Sequence, residues 1–422
     1  MTSSSLSSLD LSHNNLEGFI PTSIFELGNL TSLDQSYNKL NGTKHRQMFQ
    51  GSSELNTLRL SSNRLKLFPE LENLSNLVIL DLSNNQISGE IPTWIWEVGD
   101  GGLVRLNLSY NYLMGMQEPF FFPETLEALD LHFNQLQGNI PVFPKFLGYI
   151  DLSSNNFTSL PYDNFQNLTT RVTFCSLSNN SITGEVSENI CAVKDILALD
   201  LSHNKLSGRI PTCLIETSNS LVMLNLAENN FKGAIPDVFP SGCTLKALDL
   251  HGNFIEGEIP KSLANCSELE VLHLGQNELI GEFPCLLMNL STFHILSLQS
   301  NKLSGSIECP NANASWPLLQ ILDLAHNNLS GELPRRWLTK LQRMMGDGDE
   351  GHSEFLRLDF EYSHYIFYGS PPPGIHYVYT VTLCQGSGFG GRLLNQQWLK
   401  EPFSVVEVCL VIEELKTAGH FG

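Results

Sequence analysis

Aspartate and histidine recur at fixed places in this sequence, and these side chains could carry acid–base catalysis or hold a metal ion. Aspartate stands four residues before a recurring asparagine in eight segments, often within the motif LDLS. The examples in the second half of the chain, with the nearby histidines, are Asp200, Asp249, Asp323, His203, His251, His273 and His326. Because the aspartate belongs to a repeated consensus, we interpret it as a solvated residue that caps nearby amides. We therefore predict no catalytic residue, no metal site and no cofactor.

Two other patterns could indicate chemistry, but neither has the context that the chemistry needs. The run GSGFGG at 386–391 could cradle a phosphate, yet it lacks the preceding strand and following helix of a phosphate-binding loop. No pair among the nine cysteines has the spacing of about two to four residues that zinc ligands need. The sequence therefore predicts that the protein is not an enzyme.

The charge of the chain excludes one class of partner. The 422 residues carry a formal net charge of −20, which repels nucleic acids and anionic membrane surfaces. The apolar run at 403–412 is interrupted by Glu407 and is far shorter than the roughly 20 residues of a spanning helix. The first residues also lack a secretory signal. We expect no nucleic-acid binding, and no membrane contact by this segment itself.

The chain is built from a repeated segment that is anchored on an asparagine. An apolar residue, mostly leucine, recurs eight, five and three positions before each asparagine and two positions after it. The fourteen ladder asparagines are Asn14, Asn38, Asn63, Asn85, Asn111, Asn134, Asn155, Asn180, Asn204, Asn229, Asn253, Asn277, Asn301 and Asn327. Alternating apolar positions predict a short strand in each repeat, and equal repeats stack such strands in parallel.

These features predict an α/β-type repeat protein, a right-handed solenoid with a parallel β-sheet on its concave side. Its convex side is expected to be extended or to form 3-10 and short helical turns. The asparagine amide both donates and accepts, so we expect stacked asparagines to satisfy the backbone where each coil turns inward. Glycine follows four residues after the asparagine in twelve repeats, often before a proline, as in GEIP and GRIP. The full pattern is LxxLxLxxNxLxGxIP.

This pattern resembles the plant extracellular class of leucine-rich repeats, which is found in receptor kinases, receptor-like proteins and inhibitors of polygalacturonases. The resemblance to receptor-like proteins implies recognition of a protein or peptide ligand in immune or developmental signalling. It also implies a partner receptor kinase and a place on the extracellular side of the plasma membrane. Three alternatives remain open: a secreted inhibitor of a cell-wall-degrading enzyme, a receptor-kinase ectodomain, or a gene fragment with no function.

The sequence divides into three parts. Residues 1–334 are expected to form the solenoid of fourteen repeats. Residues 335–383 lose the period and resemble the island segment of receptor-like proteins, and their closing YVYTVTL resembles the strand at which an island rejoins the array. Residues 384–422 match nothing in the repeat, and we interpret them as a divergent tail from a truncated or misread gene. The cysteine-paired cap expected before the first repeat is also missing.

Cysteines at nearly equal phase in adjacent coils predict three disulfides, because stacked coils lie about 5 Å apart, within reach of a disulfide. The predicted pairs are Cys285 with Cys309, Cys243 with Cys266, and Cys191 with Cys213. Cys175 occupies a buried strand position and is expected to remain a free thiol. N-glycosylation is expected at the sequons Asn29, Asn41, Asn73, Asn156, Asn167, Asn265, Asn289, Asn313 and Asn328. By their phase, Asn73, Asn167, Asn265, Asn289 and Asn313 fall on the convex or flanking surface. Two further sequons, at Asn107 and Asn179, fall on the concave sheet.

The concave sheet between about 195 and 330 carries no sequon, so we expect a ligand there. Its exposed positions are predicted to be Asp200, His203, Asn225, Glu228, Asp249, His251, His273, Gln276, Gln299, Asp323 and His326. The earlier half offers aromatic anchors at Tyr37, Tyr110, Phe133 and Tyr149. The four histidines of this face suggest a hypothesis that mild acid favours binding of an anionic ligand.

Overall fold

The computed structural model describes residues 6–21, 23–24, 27–42, 54–69, 71–160, 172–216, 220–309 and 316–332, and three backbone strands between 356 and 413. The chain forms two compact units, Met1–Met344 and Met345–Gly422. Most of the island-like segment and of the tail lies outside the described residues.

The first unit is built on one parallel sheet of fourteen strands, which we call the main sheet. Each strand is three residues long and centres on an apolar residue that is fully or largely buried. The strands are β1 (Ser8–Asp10), β3 (Ser32–Asp34), β5 (Thr57–Arg59), β6 (Ile79–Asp81), β8 (Arg105–Asn107), β10 (Ala128–Asp130), β12 (Tyr149–Asp151), β14 (Phe174–Ser176), β16 (Ala198–Asp200), β18 (Met223–Asn225), β20 (Ala247–Asp249), β22 (Val271–His273), β24 (Ile295–Ser297) and β26 (Ile321–Asp323). Equivalent residues of successive repeats face each other without a shift in register.

A second layer of short parallel strands follows the ladder asparagines. Seven of them form one sheet: β11 (Gln137–Asn139), β13 (Asn156–Ser159), β15 (Thr183–Glu185), β17 (Lys205–Gly208), β19 (Asn230–Ala234), β21 (Phe254–Gly257) and β23 (Glu278–Leu279). Three pairs complete the layer: β2 (Glu17–Phe19) with β4 (Lys39–Gly42), β7 (Ser88–Ile91) with β9 (Tyr112–Met116), and β25 (Ser304–Ser306) with β27 (Asn328–Ser330).

Helical structure in the described residues is confined to single turns in the segments that return from the second layer to the main sheet. One α-helix, α1, spans Thr212–Glu216. Turns of 3-10 helix span Thr93–Trp96, Glu188–Ala192, Lys261–Asn265 and Cys285–Asn289. The prediction of a parallel-strand solenoid with extended and short helical returns is confirmed.

The second unit contains three antiparallel strands, β28 (Leu356–Phe360), β29 (Tyr377–Gln385) and β30 (Val406–Glu413). Strand β29 contains the YVYTVTL sequence that resembles a strand rejoining the repeat array. It pairs antiparallel with β28 and β30, whereas a strand of the array runs parallel to its neighbours. The resemblance of this segment to the strand at which an island rejoins the array stays a prediction. The alternation of apolar residues along YVYTVTL suits any two-sided strand, so the local sequence cannot specify the partner.

The core of the first unit is a continuous column of leucine and isoleucine side chains, and the ladder asparagines close it at one edge. In Asn253, Nδ2 donates to the carbonyl oxygens of Leu250, His251 and, in the preceding coil, Leu226, at 3.0–3.1 Å. Its Oδ1 accepts the backbone N–H of Phe231 at 2.9 Å. The same bonds recur in the neighbouring coils, so one side chain satisfies backbone groups of two coils. This is the predicted role of the asparagine.

The residue before each ladder asparagine adopts a left-handed backbone conformation, and these residues form a row along the edge of the main sheet. We call them the edge column. Thirteen are not glycine and have φ between 49° and 54°; the fourteenth, Gly252, has φ of 64°. In the first thirteen coils the backbone N–H of this residue donates to a carbonyl oxygen of the next coil, as His203 does to Ala227 at 2.9 Å. Coil-to-coil hydrogen bonding therefore holds a conformation that most side chains avoid.

Candidate functional site

The edge column contains the predicted ligand contacts that are accessible to solvent. Tyr110, Phe133, His203, Glu228 and His326 are exposed members of the column. Tyr37 and Gln276, also in the column, are half-buried, as is Asp323 at the end of β26. The candidates that solvent reaches most freely therefore share one backbone position in the repeat.

Seven of the predicted contacts are buried, so the prediction that they are exposed is wrong. They are Tyr149, Asp200, Asn225, Asp249, His251, His273 and Gln299. These residues lie on the strands of the main sheet or directly after them. Strands in a sheet are about 4.8 Å apart, which lets side chains of adjacent repeats pack in contact. The rings of Tyr149 and Phe174, for example, stack across β12 and β14 with centroids 4.7 Å apart.

The aromatic members of the edge column also stack in neighbouring coils. Tyr110 and Phe133 lie with ring centroids 4.7 Å apart and planes 12° apart, and each is 49% exposed. His132 packs edge-on against Tyr110 at 4.7 Å. At the start of the array, His13 stacks on Tyr37 at 4.2 Å. Stacked rings that keep part of their surface exposed provide apolar area for a ligand at little entropic cost, because the rings are already ordered.

Four residues in three successive coils form a charged group that we call the histidine cluster: Glu228, Asp249, His251 and His273. Nδ1 of His251 lies 2.7 Å from Oδ1 of Asp249, and Nε2 of His251 lies 3.3 Å from Oε1 of Glu228. Nδ1 of His273 lies 3.4 Å from the other carboxylate oxygen, Oδ2 of Asp249. The two imidazoles stack with centroids 4.1 Å apart. The cluster thus places one carboxylate between two imidazoles.

The surroundings of the cluster shift its pKa values in opposite directions. Burial alone would raise the pKa of Asp249, but the attraction of His251 and His273 outweighs it and holds this pKa well below its usual range. Burial alone would lower the pKa of His251, but the carboxylates of Asp249 and Glu228 raise it to about 10. The hydrogen bond from His251 lowers the pKa of Glu228. His251 is therefore a cation between two anions at neutral pH.

Two glycines make room for the cluster. A Cβ atom at Gly252 would lie 2.8 Å from the carboxylate carbon of Glu228, so a larger residue there would require the end of the Glu228 side chain to move. A Cβ atom at Gly275 would lie 2.9 Å from Cγ of Gln299 and 3.3 Å from Nε2 of His273. Both glycines follow a cluster residue in the repeat, Gly252 after His251 and Gly275 two residues after His273. Sequence reasoning treated the cluster residues as independent surface positions and did not group them.

A smaller group of the same type lies nearer the start of the array. Nδ1 of His132 lies 2.5 Å from Oδ1 of Asp130 and 3.9 Å from Oδ2 of Asp151. Burial raises the pKa of Asp151, although His132 opposes this shift. In this group one imidazole lies near two carboxylates, whereas the carboxylate of Asp249 lies between two imidazoles.

The predicted disulfide pairs all meet across adjacent coils. The Cα atoms are 5.6 Å apart in Cys285–Cys309, 4.7 Å in Cys243–Cys266 and 5.8 Å in Cys191–Cys213. Cys175 is a free thiol on β14 and is buried among leucines of the core. Burial raises its pKa to about 12, which leaves it protonated and unreactive in the folded chain.

The sequon asparagines within the described residues lie mostly on accessible surface. Exposed sequon asparagines are Asn29, Asn41, Asn73, Asn156, Asn179, Asn265, Asn289 and Asn328. Asn167 and Asn313 lie outside the described residues. Asn107, at the end of β8, is half-buried, and its Oδ1 accepts hydrogen bonds from the backbone and side chain of Ser109. It thus has the capping role that aspartate has in other repeats.

Sequence comparison finds the same repeat. The family model for the Leucine Rich Repeat matches residues 5–27, 76–98, 146–168, 196–216, 244–266 and 318–338. Receptor-like protein 31 of Arabidopsis thaliana is 37% identical over 365 residues, which cover 73% of this chain and 42% of that protein. The curated relatives that the chain matches are much longer, since it spans between 14% and 42% of their length.

Solved structures share the fold. The TDR receptor superposes with a TM-score of 0.62 and 25% identity, over 80% of this chain and 66% of that one. The Arabidopsis thaliana receptor kinase HAESA ectodomain, in complex with an N-terminally extended IDA peptide hormone, superposes with a TM-score of 0.56 and 29% identity. That match covers 78% of this chain and 63% of that one.

The parallel main sheet, the asparagine ladder and these matches define a leucine-rich-repeat solenoid. Within that class, the chain is similar to the leucine-rich-repeat receptor-like proteins of plants. In the part of the chain that the structure describes, no helix has the length and apolar character to span a bilayer.

Proposed function

We propose that the first unit is the ligand-recognition module of an extracellular receptor-like protein, and that the edge column of the main sheet contacts the ligand. The observation that carries the proposal is the edge column itself. It presents varied, accessible side chains at one repeated backbone position, and coil-to-coil hydrogen bonds hold that position fixed. A fixed row of this kind suits an extended ligand that makes many modest contacts.

The chemistry of the edge column favours a peptide or protein ligand. Tyr110 and Phe133 offer stacked aromatic faces, and His203, Glu228 and His326 offer polar or charged groups farther along. The HAESA ectodomain, a structural relative, binds a peptide hormone. On this proposal the chain has no catalytic role, and the signal passes to a partner receptor kinase.

The division of labour within the chain is part of the same proposal. Residues 1–334 bind, residues 335–383 correspond to an island segment, and residues 384–422 form a divergent tail. The sequons lie on the receptor's extracellular side, and those at Asn73, Asn265 and Asn289 carry glycans away from the edge column.

A capture experiment with matched variants tests the proposal. The purified 422-residue chain is immobilised and exposed to peptides extracted from plant apoplastic fluid, and retained peptides are identified by mass spectrometry. We expect a discrete set to be retained by the unaltered chain and lost from a variant with Tyr110→Ala, Phe133→Ala, His203→Ala and Glu228→Ala. A control variant, Glu278→Ala with Lys302→Ala, removes an exposed ion pair of 3.0 Å in the second layer and should retain the set.

Two results would contradict the assignment to the edge column. One is that the four-residue variant retains the same peptides as the unaltered chain. The other is that the control variant loses them to the same extent, which would place the contacts on the second layer.

A further inference from the structure

The histidine cluster contains buried nitrogen and oxygen atoms that make no hydrogen bond within the protein. The side chain of His273 is 1% exposed, and neither of its ring nitrogens has a hydrogen-bond partner. Oδ2 of Asp249, 3.4 Å from Nδ1 of His273, also lacks a hydrogen bond. Buried polar atoms without partners cost folding free energy, so the facing pair of Nδ1 of His273 and Oδ2 of Asp249 calls for a functional explanation.

The composition and spacing of these donors fit a metal ion. One ligand atom from each of Asp249, His251 and His273 lies within 4.8 Å of the others. Ligands about 2.0–2.2 Å from one zinc ion in tetrahedral geometry stand roughly 3.3 Å apart, close to the 3.4 Å between His273 and Asp249. Two imidazoles and one carboxylate suit zinc and neighbouring divalent transition metals, whereas calcium and magnesium prefer oxygen ligands.

We propose that Asp249, His251 and His273 bind a divalent transition-metal ion such as zinc. His251 binds through Nδ1 after the proton on that nitrogen is released to solvent, and the ion replaces its hydrogen bond to Asp249. His273 binds through Nδ1 after a small rotation that separates the stacked rings. A fourth position remains for water or for a group of the ligand.

Glu228 has a positioning role in this site. Its Oε1 lies 3.3 Å from Nε2 of His251, the ring nitrogen that points away from Asp249. Histidines that bind metals commonly donate the second ring N–H to a carboxylate, which fixes the tautomer and the ring orientation. Gly252 keeps this approach open, because a Cβ there would collide with Glu228.

Metal titration of the full 422-residue chain, purified without a histidine tag, tests the proposal directly. Calorimetry with zinc chloride should show a site that His251→Gln or His273→Gln weakens at least about tenfold. Glu228→Gln should weaken it by roughly tenfold through loss of orientation. His132→Gln and His326→Gln are matched controls from the smaller group and from the edge column, and should leave it unchanged.

Cobalt provides a second measurement that needs no variant. Cobalt(II) bound to the unaltered chain should give visible absorption typical of low-coordinate histidine and carboxylate ligation, and zinc should displace it. Absence of zinc binding, or equal affinity in the His273→Gln variant and the unaltered chain, would overturn the proposal. If neither histidine variant folds, absence of the cobalt band overturns it. No peptide ligand is needed, so failure here is distinct from failure of the proposed recognition function.

Discussion

Asp200 and Asn225 occupy the same register on adjacent strands, β16 and β18, and make the same hydrogen bond. Oδ1 of Asp200 accepts the backbone N–H of Ser202 at 2.9 Å, and Oδ1 of Asn225 accepts that of Ala227 at 3.1 Å. The repeat therefore accepts a neutral amide where it often has a carboxylate. Only Asp200 can ionise, so only Asp200 bears the free-energy cost of burying a charge.

Replacement of Asp200 by asparagine should stabilise the protein at alkaline pH. Burial raises the pKa of Asp200 from 3.8 to about 7, so the folded state holds its proton more tightly than the unfolded state. Stability then falls as pH rises from about 4 to about 7, by up to about 4 kcal/mol. We expect Asp200→Asn to gain about 1–3 kcal/mol at pH 8 and nothing at pH 4, as measured by urea unfolding.

Asp10→Asn is the matched control for that series. Asp10 caps Ser12 in the same way but is exposed, and the backbone hydrogen bond from Ser12 lowers its pKa. Its contribution is therefore present above its ordinary pKa and is lost at lower pH, so the substitution should not stabilise at pH 8. If Asp200→Asn leaves the pH profile unchanged, the carboxylate is ionised in the fold.

Replacement of one internal ladder asparagine should lower the free energy of unfolding much more than replacement of the first ladder asparagine. Asn253→Ala removes the partner of three carbonyl groups and one N–H in two coils. Buried backbone groups left unsatisfied cost about 1–3 kcal/mol each, and relaxation recovers part, so we expect about 3 kcal/mol in all. Asn14→Ala removes bonds only within its own exposed coil and should cost under about 1 kcal/mol. Similar unfolding midpoints for both variants would contradict the two-coil role.

Cys175 should resist alkylation in the folded protein. Its thiol is buried with a pKa raised to about 12, so the reactive thiolate is scarce at pH 8. Iodoacetamide added to the native chain should leave Cys175 unmodified in peptide mapping, and the same reagent in urea should modify it fully. Native modification at the unfolded rate would mean that this strand opens readily.

Gly275→Ala should destabilise the array, although Gly275 does not have a left-handed backbone. The added Cβ would lie 2.9 Å from Cγ of Gln299 and 3.3 Å from Nε2 of His273, both in a packed row. Overpacking of this kind costs about 1–3 kcal/mol. Gly242→Ala is the control, because nothing lies within 4 Å of a Cβ there. Equal unfolding midpoints for the two variants would show that the row yields to an extra methyl group.

The features that sequence predicts best are those that depend on one repeat and its immediate copy. The ladder asparagines and the three cysteine pairs follow from phase alone, because stacked coils place equal phases next to each other. Burial on the main sheet was mispredicted, since alternation assigns Asp249 to the outer face and says nothing of how tightly neighbours cover it. The histidine cluster could not be predicted from a single repeat position, because it combines two. His273 occupies the position that aspartate has in other repeats, and His251 stands two residues after an aspartate.

The edge column has a consequence for how repeat arrays of this kind diversify. Tyrosine, serine, asparagine, histidine, glutamate and phenylalanine all occupy this position in the chain with nearly the same φ. The coil therefore holds the left-handed backbone conformation for each of these side chains. On the proposed function, exchange of one residue there changes the contacts with the ligand while the backbone stays in place, so new specificities can arise one substitution at a time without passing through an unstable intermediate.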